Sequence, residues 1–420
     1  MKKTAHRRAF RVRYRAMSSS PAHDSPRLLA LLAALAALGP LSVDMYLPAM
    51  PGMMRAFDTD IAHMHLTASA YLWGFAIFHL ACGPLADRFG RRPVLIGGTL
   101  LFIVASLGCA QSTGVLELAY YRFVQGIGAC VGPTLARTIA RDVYGPTRAA
   151  RALSLIAMLM ALAPAVAPGL GGVMLRFVPW PSVFLFLAGY AVVIAVLVFR
   201  YLPETLPLRQ SLHPLAIARN YGELIVHPFF LAVSIAGALV YAGLLAYLTA
   251  SGFVFIDMLG VPLPWFGLIF LTSVVGYMSG SALSARLASH HRSETVMFAG
   301  SSIAVASTVI MLAAYWLLPQ SVLALVLPMT LYALALGLVM PHAMAIALRP
   351  FAHIAGTASA LLGFVQMGLA ALVTAMVGEL LVDTPLPLIL CMLGASALGL
   401  VLASWVQWRG APVEGLPATD

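Results

Sequence analysis

Charge is what this sequence has least of. Only 10% of its 420 residues are Asp, Glu, Lys or Arg, and the carboxylates number 15. Soluble domains carry about 25% charged residues, so a large soluble catalytic or nucleic-acid-binding domain is excluded. Cysteine is scarce too: Cys82, Cys109, Cys130 and Cys391 stand singly in or at the ends of apolar stretches, without CxxC spacing or a His/Cys cluster. That spacing frames neither a disulfide nor a metal site, and packing is the expected role of all four. Acidic residues are scattered singly, whereas a polytopic membrane enzyme needs them gathered at one membrane face. A channel needs a repeated pore element or a selectivity ring, and neither is present. The net charge of +10 sits in short loops between apolar runs, where a nucleic-acid footprint needs basic residues clustered on one folded face.

What the chain has in abundance is apolar length. Hydrophobic residues make up 61% of it, with mean hydropathy +0.92. A bilayer core of about 30 Å takes about 20 apolar residues per helix. Apolar runs fall at about 28–50, 66–86, 93–110, 117–139, 150–175, 180–200, 228–250, 264–287, 294–316, 321–346, 355–381 and 385–408, which predicts twelve membrane helices. Summed over alternate loops, 22 of 25 Lys and Arg fall on one side, and the opposite side holds only Arg55 and Arg176. The positive-inside rule therefore puts both termini in the cytoplasm.

The polar stretch 201–227 divides the runs six and six. The expected organisation is a basic cytoplasmic tail (1–27), a six-helix bundle (28–200), a cytoplasmic linker (201–227), a second bundle (228–408) and a cytoplasmic tail (409–420). The first run lacks a small-residue cleavage site followed by a polar mature domain, so it reads as a retained span rather than a signal peptide. Met17 is an alternative start to Met1. Two equal six-helix halves suit a transporter that rocks about a site near the midplane.

The densest charge within this apolar chain is in 83–95, GPLADRFGRRPVL, with Gly83, Asp87, Arg88, Gly90, Arg91 and Arg92. Such residues are expensive at a helix centre, at roughly 2.5 to 3.5 kcal/mol each, so they mark a tight turn at a membrane face. The segment 280–292 holds the corresponding place in the second half and keeps Gly280, Arg286 and Arg292, without an acidic residue. The 83–95 stretch resembles the loop signature between the second and third helices of the major facilitator superfamily. With LGPLSVDMYLPAMP (38–51), RFVQGIGA (122–129) and APAVAPGLGG (163–172) in register, the chain resembles the bicyclomycin and chloramphenicol resistance branch of the twelve-span drug/proton antiporters. Ala163 and Ala167 stand where that branch commonly has glycine, while Pro168, Gly171 and Gly172 match.

The resemblance implies an all-α membrane protein, twelve transmembrane helices in two pseudo-symmetric six-helix bundles. It implies a monomer of the bacterial inner membrane, powered by the proton gradient without another cofactor. Its partners would be a small-molecule substrate, protons and the lipid bilayer, with no nucleic acid and no metal. Export by proton antiport leads over proton-coupled uptake of a small metabolite, with a polytopic membrane enzyme as the remote alternative; the 163–172 motif is what separates export from uptake.

Asp44 is the one acidic residue well inside the first run, about 24 Å from its cytoplasmic end, and Arg122 lies about 7.5 Å below the outer face. The two fall at similar depth, which suggests proton exchange at Asp44 tuned by Arg122; a buried ion pair that only orients two helices is the alternative. The resemblance supports Arg122 as the coupling residue. Gln125, three residues on and on the same helix face, is a candidate for substrate or water, or equally for a helix contact. Tyr46, Tyr241, Gln366 and His342 complete the candidate binding set. Pro164 and Pro168 interrupt the hydrogen-bond ladder and Gly171 and Gly172 thin the interface, so this run suits either a gate or a static kink. Asp87 is expected to meet the positive end of the helix starting near Ala355, with Arg137 or Arg141 competing for it. In that reading the 83–95 hairpin latches the cytoplasmic side, or else serves as a topology signal only.

Overall fold

The computed structural model describes residues 26–206, 214–288 and 290–409, which leaves most of the basic tail, the middle of the linker and the last eleven residues outside the description. Among the described residues every regular element is helical. α1 covers Pro26–Asp44, followed by a 3-10 turn (Leu47–Ala49) and α2 (Met50–Ala56). Then come α3 (Ile61–Phe89), α4 (Arg91–Gln111), α5 (Val115–Met174), α6 (Pro181–Tyr201) and α7 (Pro214–Ile225). The rest is α8 (Pro228–Ser251), a π-helical turn (Gly252–Met258), α9 (Leu263–Leu287), α10 (Ser293–Leu317), α11 (Val322–Leu348), a 3-10 turn (Arg349–Ile354), α12 (Ala355–Leu380) and α13 (Leu386–Arg409). Ten helical segments among the described residues are long and apolar enough to cross a membrane. The polar linker is not irregular throughout, because α7 forms inside it and donates the Tyr221 hydroxyl to the Leu80 carbonyl of α3 at 2.9 Å.

Two of the expected runs, 117–139 and 150–175, lie in the single element α5. A methyl group on Gly132 would strike the Leu35 carbonyl, and one on Gly171 would come within 2.8 Å of the Met45 carbonyl oxygen. Along a straight helix those glycines would be about 58 Å apart, whereas Leu35 and Met45 are only about 15 Å apart on α1. α5 therefore doubles back, and both arms pack on α1.

The break after Asp44 follows from proline. Pro48 has no N–H, and its ring excludes the carbonyl four residues back, that of Asp44. The ladder tightens there, with Tyr46 N–H donating to the Val43 carbonyl at 3.2 Å and Ala49 N–H to the Tyr46 carbonyl at 3.0 Å. Pro51 likewise cannot donate to the Leu47 carbonyl, which accepts the Met50 N–H instead and faces Gly252 at the start of the π turn.

Without a hydrophobic drive between helices in lipid, close approach of small residues holds the bundle. α3 and α5 cross at Gly74 and Gly126, each against the other helix's backbone, at the Phe123 and Tyr71 carbonyls. α9 and α11 repeat this arrangement, with Gly280 at the Leu334 carbonyl and Gly337 at the Tyr277 carbonyl. At the hairpin end Gly90 has φ +108°, a conformation only glycine takes without strain.

α3 begins at Ile61 because Asp60 caps it, accepting the His63 backbone N–H at 2.8 Å and contacting the His63 ring at 2.7 Å. The backbone N–H first, and then the ring, hold the Asp60 carboxyl below the usual carboxylate range. A carboxyl depressed in the folded state stabilises above its unfolded pKa of about 3.9 and loses that contribution as pH falls below it. Asp60→Ala is expected to cost about 1 kcal/mol near neutral pH. Thermal unfolding in detergent should show the gap between wild type and variant closing on acidification below about pH 4.

Candidate functional site

Arg122 on the first arm of α5 is the largest fully enclosed side chain among the described residues. Its guanidinium lies between two aromatic faces, 4.4 Å from the Tyr46 ring centre and 4.3 Å from that of Tyr71. Nη1 donates to the Ser42 carbonyl at 3.1 Å and to Gln125 Oε1 at 2.6 Å, and Nε has no partner. Gln125 Nε2 donates to Ser106 Oγ of α4 at 2.8 Å, which donates to the Phe102 carbonyl at 2.7 Å. Ser42 Oγ donates to the Gly39 carbonyl at 2.8 Å and stands 2.6 Å from the Tyr71 hydroxyl. The Tyr46 hydroxyl bonds the Thr67 hydroxyl, which donates to the Met64 carbonyl at 2.6 Å. Cation–π contact with two rings and bonds to two oxygens hold the cation where water does not reach.

The matched depths of Asp44 and Arg122 bring Arg122 to Ser42, two residues from Asp44, but the two charges form no ion pair. Ser42, in the last turn of α1, and Tyr46, just past its end, both meet Arg122, while Asp44 lies about 200° round the helix from Ser42. Asp44 is only 3% exposed, and among the described residues no cation is within ion-pair distance of its carboxylate. It lies within electrostatic reach of Tyr71 and of Tyr241 on α8, and Tyr241 in turn is within reach of Tyr277 on α9. The carboxyl thus lies between α3 of the first half and α8 of the second.

The candidate binding set divides on inspection. Tyr46 and Gln125 are fully buried and bonded to Thr67, to Arg122 and to Ser106, so here they position the cation. Tyr241 is half-buried beside Asp44, and Gln366 is half-buried at mid-depth on α12, where Gly363 and Gly368 meet His79 and Trp73 of α3. His342 is elsewhere: it lies about 9 Å from the hairpin end of α11, within electrostatic reach of Glu294 and beside Ser284. The depth follows from its position two turns before Leu348, so it does not join the central group.

At the hairpin end, Asp87 pairs with Arg91 at 2.5 Å on the adjoining turn, not with α12. Arg91 also reaches Asp142 at 3.4 Å. Arg92 lies over the Phe199 ring, and Arg88 over Phe89. Arg137 donates to the Pro133 carbonyl of its own helix, away from Asp87, and Gly83 meets nothing nearby. The carboxylate at the α4 N-terminus is Glu204, which accepts the backbone N–H groups of Arg91 at 2.9 Å and Arg92 at 3.2 Å. Glu204 is one of several acids on the basic face, with Asp87, Asp142 and Glu294, so nothing local in the sequence singles it out for the orphan donors of this helix start. Glu294 is equally unmarked in the sequence, and it is buried between Arg349 (3.2 Å) and Arg292 (3.8 Å).

The contacts between the first and second halves gather toward the end opposite the hairpin. Arg55 pairs with Asp257 at 3.1 Å, and Ser69 Oγ donates to the Ala371 carbonyl at 2.9 Å. Gly169 of the second α5 arm faces Gly267 of α9 backbone to backbone. Pro168, Gly171 and Gly172 are buried beside this contact, and the Pro164 side chain lies outside the described residues.

Ten apolar spans around a buried cation and a buried carboxylate, with two halves meeting on small residues, define a multi-pass membrane transporter. The chain belongs to the Major Facilitator Superfamily, whose family model matches residues 32–375. It is 31% identical over 353 residues to an uncharacterized MFS-type transporter, YdgK, of Bacillus subtilis, covering 83% of this chain and 87% of that one. It is 29% identical to a bicyclomycin resistance protein homolog of Haemophilus influenzae, with 89% and 94% covered. It is 28% identical to multidrug resistance protein D of Escherichia coli, with 92% and 98% covered. Among solved structures, a D-xylose–proton symporter superposes with TM-score 0.72 at 16% identity, covering 92% of this chain and 98% of that one. A bacterial homolog of the lysosomal transporter Spinster, facing inward, gives 0.68 at 15% identity, with 93% and 97% covered.

Proposed function

We propose that this protein exports small apolar or cationic drug-like compounds in exchange for protons by alternating access. The observation that carries the proposal is Asp44, a carboxyl buried without a cation partner among the described residues where the two halves meet, on the helix whose Ser42 carbonyl accepts from Arg122 of α5. Burying a carboxylate charge unpaired is costly, so its charge state is tied to whether water reaches it. Protonation of Asp44 and substrate occupancy therefore alternate as the cavity opens to one side and then the other. Arg122 fixes the geometry of α1 around Asp44 and supplies a positive field without neutralising the carboxylate directly. The names of the curated relatives support export of antimicrobial compounds over nutrient uptake.

The architecture proposed is twelve spans in two six-helix bundles, the ten counted helices plus the two arms of α5. The repeated glycine crossings of α3/α5 and α9/α11 support the duplication. So do the ion pairs Arg91–Asp142 and Glu294–Arg349, where Asp142 and Arg349 lie equally far from the starts of their helices. The hairpin end is cytoplasmic by its excess of Lys and Arg, in the bacterial inner membrane, and the chain works as a monomer. Contacts between the halves at the opposite, outer end support an inward-facing state in which the hairpin latch is disengaged. The latch reading then assigns Asp87 to α12 only in the outward-facing state.

The test is Asp44→Asn in proteoliposomes with an imposed pH gradient. Substrate movement driven by the gradient is expected to fall to the level of empty vesicles, while exchange of substrate for substrate persists. Gradient-driven transport at the wild-type rate would remove Asp44 from the mechanism.

A further inference from the structure

His65 has no part in the transport site, yet it is fully enclosed; no side chain bonds either ring nitrogen, and the polar group nearest to it is the Thr374 backbone. It sits just over one turn into α3, at the sealed outer end, where three elements converge. The His65 side chain occupies the space a Cβ on Gly378 of α12 would need, lies beside Thr374, and stacks on Phe253 of the π turn at 5.7 Å. α3 belongs to the first half of the chain and the other two elements to the second. The ionisable groups around it are engaged or turned away: on α3 His63 is held by Asp60, at the π turn Asp257 is held by Arg55 of α2, and on α12 Glu379 is exposed.

We propose that His65 is a proton-responsive element of the outer seal, whose protonation from the external medium opens the contact between the two halves. The inference rests on the alternating-access reading above. A neutral imidazole tolerates this apolar slot, but an imidazolium has two donors and a charge, and here only the Thr374 backbone is near enough to receive one of them while the other and the charge stay buried without a partner. Opening the seal gives both donors to water. External acid therefore favours the outward-open state, in which Asp44 takes up a proton, and neutral external medium favours the seal. Histidine suits the role because its unperturbed pKa of about 6.5 lies within the range a bacterium meets outside.

The test is the distance between spin labels at Phe177→Cys and Val382→Cys, both exposed on outer loops, in the full chain in lipid nanodiscs without substrate. The four native cysteines are buried, so labelling is confined to the added pair. Between about pH 8 and about pH 5.5 the long-distance fraction is expected to rise about threefold in the otherwise wild-type chain. His65→Phe keeps the ring stack on Phe253 and should stay closed at both pH values; His65→Gln, which also takes no proton, should match it. The rise should survive in Asp44→Asn. An undiminished rise in His65→Phe or His65→Gln, or no rise in the wild-type background, would overturn the proposal. Loss of the rise in Asp44→Asn alone would assign the trigger to Asp44 and overturn it equally. Gradient-driven flux is read separately, so a chain that opens with acid but moves nothing against a proton gradient loses the antiport reading and keeps this one.

Discussion

Arg122→Ala is expected to lower the initial rate of gradient-driven transport by about 100-fold or more. The guanidinium is the shared partner of the Ser42 carbonyl and the Gln125 amide, and it fills the slot between the Tyr46 and Tyr71 rings. Its removal leaves the buried Ser42 carbonyl and Gln125 Oε1 without their donor, at about 1 to 3 kcal/mol each, and each 1.4 kcal/mol is about tenfold in an equilibrium. The Ala variant therefore loses the geometry of α1 at Ser42, and with it the placement of Asp44. Arg122→Lys keeps the charge but presents a compact ammonium instead of a planar fork that stacks between two rings. It should recover folding, read as a monodisperse peak in detergent, and retain only about a tenth of the rate. An Ala variant that transports at the wild-type rate would reduce this network to scaffolding.

Gly267→Ala is expected to block closure of the outer end, whereas Gly169→Ala is expected to leave it nearly intact. The two glycines face each other across the halves, but the contact is not symmetric. A methyl on Gly267 would stand 2.6 Å from the Gly169 Cα, and one on Gly169 would stand 3.6 Å from the Gly267 Cα. The first distance is a clash with backbone and the second is ordinary contact. Overpacking of this kind costs about 1 to 3 kcal/mol, and here the halves escape it by separating. The Gly267 variant should shift toward outward-open by about tenfold, read by the spin-label pair already described, and its transport rate should fall in parallel. Equal behaviour of the two variants would mean that the halves do not close on this contact.

Much of this site was legible in residue types alone. Arg122 and Asp44 stand out because charge inside an apolar run is expensive, and the rise per residue placed them at one depth. The azimuth was not legible. Pro48 ends α1 at Asp44, and the two-residue offset from Ser42 turns the carboxyl away from the cation that its depth suggested as a partner. Gln125 shows the same limit: three residues from Arg122 it was bound to share a face, but which atoms it spends depended on Ser106 arriving from α4. Glu204 reaches Arg91 and Arg92 across more than a hundred residues of chain, and no local pattern announces such a contact.

Sequence by itself determined the spans, the basic face and the hairpin, because hydropathy and charge act residue by residue against a uniform solvent, the bilayer. Only the tertiary structure decided that Arg122 is held by carbonyl, amide and rings, that Asp44 lies between Tyr71 and Tyr241 of opposite halves, and that His65 is sealed between the halves. Those outcomes depend on helix rotation and on the close approach of backbones that are distant in the chain, and both are fixed by packing.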